Sequence, residues 1–219
     1  MCPLRPIRKP ILCYVTDRRS LAGSPEASRE VLLEKIEQAA GAGVDWIQIR
    51  EKDLSAREMA DLAEEAARRI GRTCLLMIND RLDVACAAGL AGVHLGEKSL
   101  PVNQAKCLAQ ERCGGREFLA GVSVHSLSSA QEAEKDGADY VIFGPVFATP
   151  SKAEFGQPQG LGKLKEVSAR LAIPVLAIGG INEENARNCF AAGASGIAAI
   201  RLFQEAEDLG GLVKRLRMD

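Results

Sequence analysis

The sequence predicts an α/β chain folded as a single (β/α)8 TIM barrel, and three observations predict it. Short runs rich in Val, Ile and Leu alternate with charged, helix-periodic stretches from one end of the chain to the other. Eight strand and helix pairs can be counted, whereas an open doubly wound sheet more often has about five or six strands. The 219 residues suit one closed barrel, which runs from about 200 to 250 residues. One domain over 1–219 is expected, with 1–10 as a loose N-terminal extension.

The strand candidates are ILCYVTD from Ile11, VDWIQIR from Val44, CLLMIND from Cys74, GVHLG from Gly92, FLAGVSV from Phe118, YVIFGPV from Tyr140, PVLAIGG from Pro174 and GIAAIRL from Gly196. Most are continuous apolar runs, as strands covered on both faces of a parallel sheet must be. Helical periods occupy 28–42, 55–70, 81–88, 101–111, 128–136, 160–171, 182–192 and 203–217. Ser55 and Ser128 are the expected N-caps, and Gly43, Gly137 and Gly193 follow last turns. The longest irregular stretch, 148–159, is a candidate active-site loop.

Composition excludes several function classes. A net charge of −1, with 28 basic residues scattered rather than blocked, gives no long-range field for nucleic acid or an anionic membrane. No apolar stretch approaches the roughly 20 residues that span a bilayer, and MCPLRPIRKP lacks the apolar segment of a secretory signal, so a cytoplasmic location is expected. Seven cysteines without a CxxC pair, and only two histidines, argue against a zinc site. Cys13, Cys74 and Cys189 read as buried small hydrophobes in a reducing compartment.

Barrel chemistry sits at the C-terminal strand ends, so those ends carry the functional reading. The second strand ends in Gln48, Arg50, Glu51 and Lys52. The fork of Arg50 beside the compact charge of Lys52 suits a polyphosphate, unless both are spent on Glu51 and Asp53 at the surface. The third ends in Asn79 and Asp80, which either help hold Mg2+ or cap the next helix. After the sixth come Thr149, Pro150, Ser151 and Lys152, a diphosphate contact or a solvated turn. Gly179 and Gly180 end the seventh, where backbone amides and a following helix N-terminus can face a phosphate. His125, beside Ser123 and Ser126, offers proton transfer or a structural hydrogen bond, and His94 reads as an interior group.

Taken in order, YVTDRR, QIREK, INDRLDVA, GVHLGEKSLP, GVSVHSLSSAQEAEKDGADYVIFGPVFATPSK, PVLAIGGI and GIAAIRLF resemble the thiamin phosphate synthase and thiazole tautomerase superfamily. The likeness spans nearly the whole chain. It implies a Mg2+-assisted transferase that joins hydroxymethylpyrimidine diphosphate to thiazole phosphate and releases pyrophosphate. It further implies Gln48 by the pyrimidine, with Arg50, Lys52, Asn79 and Lys152 on the diphosphate, and Asp80 as a metal ligand. Ser123 matches a serine near the reacting centre. Thr149 and Ser151 match thiazole-side contacts, and Gly180 with Ile200 and Arg201 matches the thiazole-phosphate site. The implied partners are these small phosphorylated molecules, with a homodimer as the expected assembly.

One departure separates the chain from the synthase pattern. After GVHLG that pattern carries a second Mg2+-binding aspartate, where this chain has Glu97, Lys98 and Ser99. Ser99 takes the carboxylate's place, and Glu97 is the substitute metal ligand to test. His125 and Ser99 pull towards the tautomerase branch, an isomerase of thiazole carboxylate phosphate. Lys52, Asp80 and Lys152 pull towards the synthase, which has a diphosphate to hold. A non-catalytic regulator that binds thiazole or thiamin phosphate is a third reading, and it would not need the cationic cluster that this chain keeps.

Overall fold

The computed structural model describes residues 10–21, 25–113, 117–149 and 157–217. Eight parallel strands, β1 Ile11–Val15, β2 Trp46–Ile49, β3 Leu75–Asn79, β4 Gly92–Leu95, β5 Leu119–Val124, β6 Tyr140–Phe143, β7 Val175–Ile178 and β8 Gly196–Ala199, close in sequence order. The ring shuts where β1 pairs with β8, Leu12 opposite Ile197 and Cys13 opposite Ala198. Around it lie α1 Pro25–Ala42, α2 Ala56–Ile70, α3 Leu82–Ala87, α4 Val102–Arg112, α5 Leu127–Lys135, α6 Gly160–Arg170, α7 Glu183–Ala191, α8 Arg201–Gln204 and α9 Leu209–Arg217.

Strand periodicity divides the apolar residues into two cores. Ile11, Cys13, Val15, Trp46, Met77, Tyr140, Ile142, Leu176 and Ala198 fill the barrel interior. Their alternates, among them Leu12, Ile47, Ile78, Val93, Val141 and Ile197, pack outward against the helices. The interior is crowded by Trp46 and Tyr140, whose ring centroids lie 4.7 Å apart. A Cβ at Gly121 would overlap the Tyr140 ring, so β5 must pass that ring without a side chain.

The helix ends differ from expectation in three places. Ser55 caps α2 through a reciprocal box with Glu58, but α5 is capped by Ser126, not Ser128, because it is Ser126 whose side chain reaches the Ser129 amide. Helix α1 begins at Pro25, a residue whose fixed φ suits a first turn. The stretch 203–217 is two helices rather than one. The first, α8, ends at Gln204, whose amide is drawn to the β1 loop through Asp17 O at 2.8 Å, and the carboxylate of Asp208 accepts from the Gly211 amide at 2.9 Å as the second begins.

Cys13 and Cys189 are buried as expected, whereas Cys74 is only partly so. Cys86 of α3 and Cys113 beyond α4 form a disulfide, with Cα atoms 5.2 Å apart across 27 residues of chain. Sequence spacing does not single out that pair.

Candidate active site

At the end of β2 the strand alternation sends Gln48 inward and Glu51 outward towards the β1 loop. Glu51 is 2% exposed. Its carboxylate accepts from Thr16 Oγ1 at 2.5 Å, from the Arg18 amide at 3.1 Å and from the Arg18 guanidinium at 3.2 Å. Arg18 spans to Asp53 as well, at 2.7 Å. The acids that might have neutralised Arg50 and Lys52 are therefore taken by Arg18. Among the described residues neither Arg50 nor Lys52 forms an ion pair. Burial raises the Glu51 carboxyl above its ordinary pKa, offset by the bonds from Thr16 and Arg18. Thr16 Oγ1 also accepts from the Arg50 amide at 3.0 Å, so this buried network holds the backbone that presents Arg50.

Gln48 donates through Nε2 to Asn79 Oδ1 at 3.0 Å, and Asn79 donates through Nδ2 to Asp80 Oδ2 at 2.9 Å. Gln48 is 2% exposed, yet its Oε1 has no hydrogen-bond partner. A buried acceptor left in that state awaits a donor. Asp80 stands at φ +61°, a left-handed turn that short polar side chains tolerate, and its amide donates to His94 O at 2.9 Å. Its other oxygen accepts from the Gly96 amide at 3.2 Å and from the Ser99 hydroxyl. Helix α3 takes no side-chain cap, so Asn79 and Asp80 turn to the site rather than to the helix.

Deeper in the barrel, His94 is 2% exposed and bonded at both ring nitrogens, Nε2 to Ser123 Oγ at 2.9 Å and Nδ1 to Tyr140 OH at 3.2 Å. Burial lowers its pKa to about 4; the Asp80 charge opposes that shift and the Arg50 charge adds to it. Both charges therefore act on the ring from the same end of the barrel. His125 is exposed at the end of β5, its Nδ1 on the Gly144 carbonyl at 2.5 Å and its amide on Glu97 Oε1 at 3.2 Å.

The opposite side of the rim is built by β6, β7 and β8. Gly179 and Gly180 adopt φ +99° and +64°, and a Cβ would come within 2.5 Å of Pro145 Cβ or of Ala148 O respectively. Glycine is required there both by conformation and by the close approach of the β6 loop. Helix α7 carries Asn182 as its cap and Glu183 and Glu184 in its first turn, with Glu183 paired to Arg215. Cationic charge on this side is carried by Arg201, just past Ile200 at the end of β8, whose Nη2 lies 3.4 Å from Thr149 Oγ1. Ser151 and Lys152 lie outside the described residues.

Sequence reading did not foresee the Thr16–Arg18–Glu51 support or the bond from Ser99 to Asp80. The first had a signal: Glu51 is out of phase with the inward Gln48 and Arg50 on a strand of period two. No clusters of three or more His, Cys, Asp or Glu residues that could hold a metal occur among the described residues. Asp80 is the carboxylate that stands next to the Gln48–Asn79 amides.

A closed barrel with cations that have no ion-pair partner among the described residues, a carboxylate and an unsatisfied buried amide at its C-terminal face defines a barrel enzyme acting on a small polar substrate. Residues 12–203 match the family described as thiamine monophosphate synthase, and the chain belongs to that family. It is 38% identical to the thiamine-phosphate synthase of Clostridium novyi, over 94% of this chain and 96% of that one. It is 39% identical to the thiamine-phosphate synthase of Syntrophomonas wolfei, over 94% of each. The solved thiamine phosphate pyrophosphorylase from Pyrococcus furiosus superposes with a TM-score of 0.80 at 35% identity, covering 96% of this chain and 95% of that one.

Proposed function

We propose that the chain is a thiamine-phosphate synthase, a transferase that couples hydroxymethylpyrimidine diphosphate to thiazole phosphate and releases pyrophosphate. The observation that carries the reading is the unbroken line from Gln48 through Asn79 to Asp80, set beside an Arg50 with no ion-pair partner among the described residues. In this reading the open Gln48 Oε1 accepts from the pyrimidine amino group. Arg50, Lys52 and Lys152 hold the diphosphate, assisted by Asn79. Thr149, Ser151, the backbone at Gly179 and Gly180, and Arg201 with Ile200 receive the thiazole phosphate.

Mg2+ is the proposed cofactor, with Asp80 as its protein ligand and Glu97, one oxygen of which is on the His125 amide, as a second. Bound there, the ion would neutralise charge gathering on the departing diphosphate. The aminopyrimidine is electron-rich enough for its C–O bond to break towards a stabilised cation, which the thiazole nitrogen captures. No protein nucleophile is needed, and the protein's work is positioning and electrostatic stabilisation. The proposed setting is the cytoplasm. No described helix is long and apolar enough to cross a membrane.

Titration calorimetry with the pyrimidine diphosphate, with and without Mg2+, tests this reading. Binding that requires the metal is expected, and a chain that binds thiazole phosphate but no pyrimidine diphosphate, with or without Mg2+, would overturn it. A second reading, isomerisation of thiazole carboxylate phosphate, draws on His125: with Nδ1 donating to the Gly144 carbonyl, Nε2 is left as the basic nitrogen at the site edge. Loss of isomerisation in His125→Ala with ligand binding intact would support it.

A further inference from the structure

His94, Tyr140 and Met77 lie in the barrel interior beneath the site, and nothing in the proposed reaction uses them directly. Their hydrogen bonds can be counted. Tyr140 OH is 3.4 Å from Met77 Sδ. A thioether sulfur can only accept, so in that contact the phenol's single hydrogen points at sulfur. Tyr140 can then meet His94 Nδ1, 3.2 Å away, only as an acceptor, which puts the imidazole hydrogen on Nδ1. His94 Nε2 is thereby left bare, and at 2.9 Å it accepts the Ser123 hydroxyl hydrogen. The opposite tautomer would make Nε2 the donor and pull the Tyr140 hydrogen away from Met77. Only the Nδ1–H form satisfies all three contacts.

We infer that His94 is a positioning residue that turns the Ser123 hydroxyl hydrogen away from the substrate and fixes its oxygen as an acceptor facing the aminopyrimidine. This rests on the proposed function together with the family resemblance, which sets Ser123 near the reacting centre. As the diphosphate departs, positive charge spreads over the pyrimidine ring and its amino group. An oxygen whose lone pairs already face that charge stabilises it without reorienting, whereas a freely rotating hydroxyl must give up part of that gain to realign. Ser123 holds the end of β5, one strand from His94 on β4, so barrel register alone keeps the pair together.

The chain has two histidines, so nitrogen NMR of the intact, histidine-labelled protein resolves the tautomer directly. His125, with Nδ1 on the Gly144 carbonyl, shares the Nδ1–H form, so both histidines are expected with Nδ1 protonated and Nε2 bare, and the buried one is identified as the ring whose Nε2 signal moves in Ser123→Ala. Kinetics supply the second arm. His94→Leu is expected to lower kcat by roughly tenfold to hundredfold, with KM for both substrates held within about threefold, as for loss of one preorganised group. His94→Gln, which can present an amide oxygen to Ser123, should recover most of that loss. Ser123→Ala combined with His94→Leu should cost little more than either alone.

Turnover by a wild-type chain whose buried histidine is protonated on Nε2 overturns the inference and leaves the synthase reading standing. So does full additivity of the two substitutions. A wild-type chain that turns over no pyrimidine diphosphate overturns the synthase reading and the inference with it. The tautomer itself is read on the unmodified protein, so that result does not depend on a variant folding.

Discussion

The Ser99 hydroxyl donates to the carboxylate of Asp80 across 19 residues, at the position where the synthase pattern sets a second acid. The hydroxyl orients Asp80 without adding negative charge, so in the proposed metal site the second carboxylate is Glu97 rather than an acid at position 99.

Ser99→Asp should therefore strengthen Mg2+ binding. An added carboxylate ligand is expected to lower the Mg2+ concentration for half-maximal activity by about tenfold, equivalent to roughly 1.4 kcal/mol. In metal-free buffer the same change puts two carboxylates side by side and should lower stability. Magnesium titration by calorimetry checks the first effect, and an unchanged affinity would show that position 99 does not face the ion.

Glu51 tests the support beneath Arg50. Its carboxylate is buried and fully engaged by Thr16 and Arg18, so Glu51→Gln loses the charge that Arg18 pairs with inside the rim. A cost of about 2 kcal/mol is expected, which for a chain of this size lowers Tm by roughly 4–8 °C. KM for the pyrimidine diphosphate should rise, because Thr16 also fixes the Arg50 amide. Urea denaturation with steady-state kinetics reads both quantities.

Stability should also depend on His94 in acid. Its folded pKa of about 4 lies below the ordinary 6.5, so the neutral ring contributes stability that is fully present above pH 6.5. That contribution is lost as the pH falls towards 4, because the unfolded chain takes up the proton first. The loss is on the order of 3 kcal/mol over that window. Comparing wild type with His94→Gln at pH 7 and pH 4.5 by denaturant unfolding should show a steeper acid loss in the wild type. Parallel losses would mean that the ring is not buried neutral.

Lys152→Ala should reduce synthase turnover far more than thiazole-phosphate affinity, since its proposed partner is the leaving group. Equal effects on both would remove that role.

Most of the scaffold was legible in the sequence because a closed parallel barrel writes itself locally. Each strand is a short apolar run, and the glycines at 43, 137 and 193 stand at helix ends in the left-handed conformation their position requires. The break between α8 and α9 was not legible, since it depends on Gln204 reaching the β1 loop 187 residues away. On the opposite rim Gly179 and Gly180 take the positive φ of a tight turn, the cation there is Arg201, and the first turn of α7 carries Glu183 and Glu184, which the glycines alone did not announce. His94 looked like an interior residue and is one. Its link to Ser123 is a cross-strand contact over 29 residues that no local pattern encodes.

The reaction itself is the most direct test. Given both phosphorylated substrates and Mg2+, the purified chain should release one pyrophosphate for each thiamin phosphate formed, and neither substrate alone should yield any. Binding of thiazole phosphate without pyrophosphate release in the complete mixture would contradict the account.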